Sequence, residues 1–154
     1  MPKPSSGPTA VLAPTARTLP MTLLRARETV MERFRPMLHR HDVTEQQWRV
    51  LRVLHERDEM DASELARGAS ILAPSLTRIL KALEARALIE LRKDPDDGRR
   101  TVIRLSANGS AFLAGAAPES AAIYEEIEAL VGRAEIERLI DDMDRLIEAL
   151  SNKK

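Results

Sequence analysis

The chain has 154 residues, enough for one domain with a buried core, and it contains no cysteine. Disulfides and thiolate metal sites are therefore excluded, and a reducing compartment such as the cytoplasm is expected. The formal net charge of zero argues against indiscriminate binding to polyanions, and no apolar run is long enough for a membrane-spanning helix. With 44% hydrophobic but only 3% aromatic residues, the core must consist mainly of aliphatic side chains, a composition that favours helices.

The N-terminal part of the sequence predicts a tail followed by a long helix. Residues 1–20 hold five of the nine prolines, which is typical of a flexible tail. Residues 21–43 are predicted to form a helix, because apolar residues recur there at helical spacing. The apolar face consists of Leu23, Leu24, Val30, Met31, Phe34, Met37 and Leu38. Pro36 is expected to bend this helix, and Arg27 points into the middle of its apolar face.

Two capping boxes predict the starts of the next two helices. The first is TEQQ at residues 44–47, and it opens a helix that runs to about Glu56. The second is DASE at residues 61–64, and it opens a short helix that runs to about Ala69.

A fourth helix is predicted from Pro74 to about Arg86, because proline is tolerated in the first turn of a helix. Ala73 precedes it as a poor N-cap. The inward positions of this helix are Leu76, Ile79, Leu80 and Leu83. Its outward face holds Arg78 and Lys81, flanked by Ser75 and Thr77.

A β-hairpin and two further helices complete the predicted order. The runs LIELR (88–92) and TVIRL (101–105) flank the turn DPDDG (94–98), which is typical of a hairpin. Ser106 can cap a helix that Pro118 should kink and Gly132 should end, and a last helix should span 134–150. The residues expected to be buried in the first of these two helices are Phe112, Leu113, Ile123, Ile127 and Leu130. The predicted fold is therefore mainly α with a small β-hairpin wing, a winged helix-turn-helix over residues 44–105.

The charges indicate what the winged region binds. Residues 73–105 carry eight basic and five acidic side chains, whereas residues 106–154 carry five basic and ten acidic ones. A helix fits the DNA major groove, so the outward residues Ser75, Thr77, Arg78 and Lys81 are predicted to contact DNA. Arg99 and Arg100, at the hairpin tip, are predicted to enter the minor groove, with Asp97 pairing with one of them and supporting the wing. The alternative is a solvated helix face beside a polar surface turn.

The stretch ILAPSLTRILKALEARALIELRKDPDDGRRTVIRLS (71–106) resembles the recognition helix and wing of the MarR family of transcriptional regulators. The resemblance covers residues 21–150 as a single domain. It implies a homodimer joined by residues 21–43 and 106–150, with two recognition helices at operator half-sites about one DNA turn, roughly 34 Å, apart. Three residues depart from the family pattern: Ala87 stands where glycine is usual, Leu91 where arginine is common, and Ala73 where serine is frequent.

Within the family, residues 23–54 and 71–80 are most similar to repressors of homoprotocatechuate degradation operons. That resemblance implies a repressor of an aromatic catabolic operon that is released by a phenolic carboxylate effector such as a hydroxyphenylacetate. A bound carboxylate could neutralise Arg27, whose charge is costly on an apolar face, with Phe34, His41 and Trp48 around it. The alternative is that Arg27 pairs with a glutamate or aspartate, within the chain or across the dimer.

Other classes of function receive less support from the sequence. His39 and His41 could hold a metal, but two histidines at a helix end are more often structural, so neither a metal nor a cofactor is expected. No phosphate-binding loop, G-x-S-x-G elbow or H-E-x-x-H motif is present, and we do not expect an enzyme. Two alternatives remain open: a MarR-type regulator that responds to a different small molecule, and a helical adaptor that does not bind DNA.

Overall fold

The computed structural model describes residues 12–152, which form mostly helices and one small sheet. The elements are a 3-10 helix (Thr15–Arg17), α1 (Leu19–Arg40), α2 (Glu45–Glu56), β1 (Met60–Asp61), α3 (Ala62–Ala69), α4 (Ala73–Ala85), β2 (Ile89–Lys93), β3 (Thr101–Leu105), α5 (Ala107–Val131) and α6 (Arg133–Ser151). The predicted mainly helical fold with a β wing is confirmed. Within residues 12–152, no helix combines the length and the apolar character needed to cross a bilayer.

The chain divides into two units between Arg33 and Phe34. The described part of the first unit, residues 12–33, contains the 3-10 helix and the N-terminal turns of α1. Residues 1–11 of the predicted tail lie outside the described residues, and the rest of that segment already contains the start of α1. Four apolar side chains of this part of α1 are 39–52% exposed: Leu19, Leu23, Leu24 and Val30.

The second unit contains the hydrophobic core. Apolar faces of α2, α3 and α4 meet the sheet and the first turns of α5, and burial of these faces is the main force that stabilises the unit. The largest fully buried side chains of the whole described chain are Met37, Val50, Leu51, Leu54, Leu65, Leu76, Leu83 and Ile103. Trp48 and Phe112 are partly buried at the edge of this aliphatic core, as expected from the low aromatic content.

The sheet has three antiparallel strands in the order β1-β3-β2. The hairpin of β2 and β3 was predicted, and it pairs Ile89 with Leu105 at one end and Lys93 with Thr101 at the other. The prediction of two strands was incomplete, because Met60 of β1 also pairs with Ile103. Leu91, which stands where the family commonly has arginine, is partly buried against the core.

Side-chain caps begin three of the helices as predicted. The Thr44 hydroxyl accepts a hydrogen bond from the N–H of Gln47, and Asp61 accepts one from Glu64. In both boxes the N3 side chain accepts a hydrogen bond from the N-cap backbone N–H. Ser106 caps α5 through the N–H of Gly109 at 2.9 Å.

The last two helices expose much of their apolar surface. α5 continues through Pro118 and ends at Gly132, whose φ is 93°. Leu113 is buried as predicted, whereas Phe112, Ile123 and Ile127 are only partly buried. The predicted burial of Leu130 is wrong, since this side chain is 67% exposed. α6 carries five apolar side chains that are 41–64% exposed: Leu139, Ile140, Met143, Ile147 and Leu150.

The turn after α4 is held against the start of α5. Ala87 has a φ of 57°, a left-handed conformation that favours glycine, the residue usual at this place in the family. Its carbonyl oxygen accepts a hydrogen bond from the Ser106 hydroxyl at 2.5 Å. A Cβ at Gly109 would lie 2.1 Å from the Leu88 carbonyl oxygen, so only glycine fits this approach.

Replacing Ala87 with glycine is expected to stabilise the protein by about 1 kcal/mol, because glycine avoids the clash that a Cβ makes in the left-handed region. Urea unfolding at fixed protein concentration measures the change. Ala82→Gly is the control: Ala82 is exposed in the interior of α4, where glycine should destabilise by about 0.5–1 kcal/mol. Destabilisation of both variants to the same extent would show that the Ala87 backbone is not strained.

Candidate nucleic-acid interface

The start of α4 is fixed by the turn that precedes it. Ser70 ends α3 in a left-handed conformation, and the N–H of buried Ile71 donates to the Ala66 carbonyl at 2.9 Å. Leu72 is the N-cap of α4 and makes no side-chain capping hydrogen bond. The prediction that Ala73 is the N-cap was therefore wrong by one residue, because Ala73 is the first residue of the helix.

α4 has one buried face and one exposed face. Leu76, Ile79, Leu80 and Leu83 are buried in the core, which fixes the orientation of the helix. On the other side, Thr77, Arg78 and Lys81 are exposed and Ser75 is partly exposed. The Thr77 hydroxyl donates to the Ala73 carbonyl oxygen at 3.4 Å. The outward face thus presents two cations and two hydroxyl groups.

Acidic side chains neutralise several arginines of the sheet. Arg92 pairs with Glu59, which precedes β1. Arg104 of β3 pairs with Glu90, its cross-strand neighbour in β2, at 2.7 Å. Both members of each pair belong to this chain, so these arginines have less positive charge to offer a polyanion.

Arg100 lies in a cluster of three carboxylates. Its guanidinium is 3.1 Å from Asp61, 3.5 Å from Asp94 and 3.8 Å from Glu64. The hydrogen bond from the Glu64 N–H, together with the charge of Arg100, lowers the pKa of Asp61 below its ordinary value. Asp61 is therefore ionised at neutral pH. The ion pairs of Arg100 tie the wing to the start of α3.

Asp97 supports the wing tip through the backbone. Its carboxylate accepts a hydrogen bond from the N–H of Arg99 at 3.0 Å, and its carbonyl oxygen accepts one from the N–H of Arg100 at 3.0 Å. The sequence analysis instead expected Asp97 to pair with a guanidinium. Within residues 12–152 this expectation is corrected, since the partner of the carboxylate is a main-chain N–H, as in an Asx turn.

A few cations in this region keep their charge available. Across the described residues, the side chains of Arg78, Lys81, Lys93 and Arg99 take part in no hydrogen bond or ion pair. Two of them lie on the outward face of α4, one ends β2, and one is at the wing tip. The sequence analysis did not single out Lys93. These four side chains place unpaired positive charge on the outward face of α4, at the end of β2 and at the wing tip.

The other end of α4 is joined to α5 and to the turn after α1. Arg86 donates to the carbonyl oxygen of Asp42 and lies over the Phe112 ring at 5.8 Å. His41 meets the edge of the same ring and is 2.9 Å from Glu119. The hydrogen bond from Arg40, and to a smaller extent that from His41, lowers the pKa of Glu119 below its ordinary value. The sequence analysis did not predict this junction.

The four residues predicted to bind an effector have different surroundings. Arg27, in the first unit, is 3.3 Å from Glu28, and its side chain is 45% exposed. In the second unit, Phe34 is buried with its ring 5.0 Å from that of Tyr124, and Trp48 is partly buried against the core. His41 contacts Phe112 and Glu119. In the part of the chain that is described, no three acidic or histidine side chains are grouped to hold a metal ion.

The three helices α2, α3 and α4 around one core, the three-stranded sheet and the exposed outward face of α4 define a winged helix-turn-helix protein. The sequence profile of the MarR family matches residues 43–101. The chain is also 39% identical over 137 residues to the homoprotocatechuate degradative operon repressor of Escherichia coli, covering 89% of this chain and 92% of that protein. The chain belongs to the MarR family.

Solved structures agree with this assignment. NadR in complex with 4-hydroxyphenylacetate is similar to this chain with a TM-score of 0.76 and 35% identity, covering 89% of this chain and 97% of NadR. The transcriptional repressor CouR, bound to a 23-mer DNA duplex, is similar with a TM-score of 0.78 and 28% identity, covering 86% of this chain and 94% of CouR.

Proposed function

We propose that this protein is a repressor that binds duplex operator DNA as a homodimer and is released by a phenolic carboxylate. The observation that carries the proposal is the distribution of charge around α4 and the wing. Arg78, Lys81 and Arg99 are exposed without an ionic partner among the described residues, whereas Arg100 and Arg104 are paired with the protein's own acids. A DNA-binding surface needs exposed cations without an ionic partner, whereas a helical adaptor has no need for them.

The outward face of α4 is the part that we propose enters the major groove. Arg78 can donate two hydrogen bonds to a guanine, and Lys81 and Ser75 can donate to phosphates or base edges. The Thr77 hydroxyl, which donates to the Ala73 carbonyl, can accept a hydrogen bond from a base edge. Arg99 at the wing tip is suited to the narrow minor groove, where the potential is most negative. That Arg100 contacts DNA stays a prediction. In the unbound protein its ion pairs hold the wing against the start of α3.

We propose that the exposed apolar side chains of α1 and α6 become buried in a homodimer. Residues 21–150 then act as one domain, in which 44–105 read DNA and 21–43 and 106–150 form the dimer. The Escherichia coli relative and CouR are repressors, and we propose neither catalysis nor a cofactor for this chain. Its place of action is the cytoplasm, where bacterial operator DNA is found.

The effector class comes from the relatives. One relative represses a homoprotocatechuate degradative operon, and NadR was solved with 4-hydroxyphenylacetate. We therefore propose a phenolic carboxylate as the effector of this chain. Arg27, Phe34, His41 and Trp48 stay predictions for its binding. Arg27 is 3.3 Å from Glu28, so pairing with an acid stays the alternative role for that residue. A MarR-type regulator of another small molecule is the second candidate.

A gel-shift titration on the DNA upstream of the protein's own gene tests the proposal. Four or more neutralised phosphates predict binding that weakens about 100-fold between roughly 50 and 200 mM salt. Adding 4-hydroxyphenylacetate should release the DNA, and Arg27→Ala should bind operator normally but require more ligand for release.

Arg25→Ala serves as the control for the ligand arm, because Arg25 is another exposed arginine on α1. Binding to random DNA as tight as to the upstream DNA would contradict the proposed function. Release that is the same in the Arg27 variant and the unaltered protein would reject Arg27 alone, and release by none of a panel of phenolic acids would reject the effector class.

A further inference from the structure

The recognition helix begins with an exposed apolar side chain. Leu72 is 79% exposed, and the two residues that follow it, Ala73 and Pro74, are exposed as well. Serine, threonine, aspartate or asparagine at an N-cap would accept a hydrogen bond from the helix, whereas Leu72 makes none. The residue therefore stabilises neither the cap nor the core to any great extent.

A single exposed leucine is ordinary, so its placement is what matters. The buried Ile71 and its hydrogen bond to Ala66 hold the backbone on one side. On the other side, the Leu72 carbonyl accepts a hydrogen bond from the N–H of Leu76 at 3.0 Å, and the Leu76 side chain is buried. The leucine is thus presented from a fixed position at the end of the helix that carries the unpaired Arg78 and Lys81.

We infer that Leu72 contacts the C5-methyl group of a thymine in the operator and is a specificity-determining residue. The inference rests on the proposed function, because it requires α4 to lie in the major groove. There the N-terminal residues of a recognition helix approach base edges, and the thymine methyl is the apolar feature that a base pair presents. Docking removes both the leucine and the methyl from water, while the nearby cations supply the electrostatic attraction.

The test combines a change in the DNA with a change in the protein. Each thymine of the operator is replaced in turn by deoxyuridine, which removes only the methyl group. For the unaltered protein, one position in each half-site should weaken binding about 4-fold, the value for one methyl group returned to water. For Leu72→Ser the same replacement should have no effect, because the partner of the methyl group is already missing.

Controls separate this contact from general effects. Leu72→Ser supplies a favoured N-cap, so its melting temperature should equal or exceed that of the unaltered protein. Leu12→Ser makes the same change at a leucine that is 91% exposed, and it should retain the full sensitivity to deoxyuridine.

Three outcomes would overturn the inference, and they are distinguishable. If the unaltered protein does not bind operator DNA at all, the proposed function fails together with the inference. If operator binding is normal but no thymine position responds to deoxyuridine, the inference alone fails. It also fails alone if the response persists undiminished in Leu72→Ser.

Discussion

Replacing Arg78 with alanine is expected to reduce the preference for operator over random DNA by about 1–3 kcal/mol, roughly 5- to 150-fold. Arg78 is exposed on the outward face of α4, and the buried Leu76 and Ile79 keep that face turned away from the core. Its guanidinium can donate two parallel hydrogen bonds to the O6 and N7 atoms of guanine, which no other base presents together. Losing both bonds therefore removes sequence discrimination rather than general affinity for DNA.

Gel-shift titrations on operator and random duplexes measure this ratio. Lys81→Ala is the matched comparison on the same helix, and it should weaken binding to both duplexes about equally if Lys81 contacts phosphate. Arg104→Ala is the control, because Arg104 is already paired with Glu90. An unchanged ratio for Arg78→Ala would remove Arg78 from the base-reading residues.

Replacing Ile140 with aspartate is expected to separate the dimer and to weaken operator binding about 100-fold or more. Ile140 is 49% exposed in the row of apolar side chains on α6, and a buried charge without a partner opposes association strongly. A separated protomer addresses one half-site only, so it loses the gain in effective concentration that links the two binding events.

Light scattering measures the mass in solution, and gel shifts measure the affinity. Ala134→Asp places the same charge on the opposite side of α6, where Ala134 is exposed, and it should remain dimeric with full operator affinity. A variant at Ile140 that stays dimeric would show that the exposed row on α6 is not the dimer interface.

The local features of the fold could be predicted because their signals lie within a few residues. The capping boxes at Thr44 and Asp61 each join residues three apart, and both helices begin where those boxes predict. The hairpin follows from two β-branched or apolar runs around a turn that contains proline and glycine. The start of α4 was misplaced by one residue because Leu72, a poor capping residue, gives no signal of its position.

The features that were missed depend on residues far apart in the sequence. β1 is two residues long, too short for a periodic pattern, and it exists through its pairing with β3. The carboxylates around Arg100 come from the start of α3 and from the wing. Arg86, at the end of α4, contacts Asp42 in the turn after α1 and Phe112 in α5. No spacing rule brings such groups together.

The exposure of Leu130 has a related physical reason. A helical repeat of apolar residues shows that a helix has a face to bury, but it does not show whether the same chain or a second copy covers that face. Leu130 was expected to be buried, whereas the single chain leaves this side chain 67% exposed.

The central claim is that two copies of α4 bind two half-sites on the same side of the DNA, about one helical turn apart. The most direct measurement is the affinity for an operator with five base pairs inserted between the half-sites, which turns one half-site to the opposite side of the duplex. We expect a loss of about 100-fold, with much of the affinity regained when ten base pairs are inserted instead. Equal affinity for all three duplexes would contradict binding of the dimer to two half-sites on the same side of the DNA.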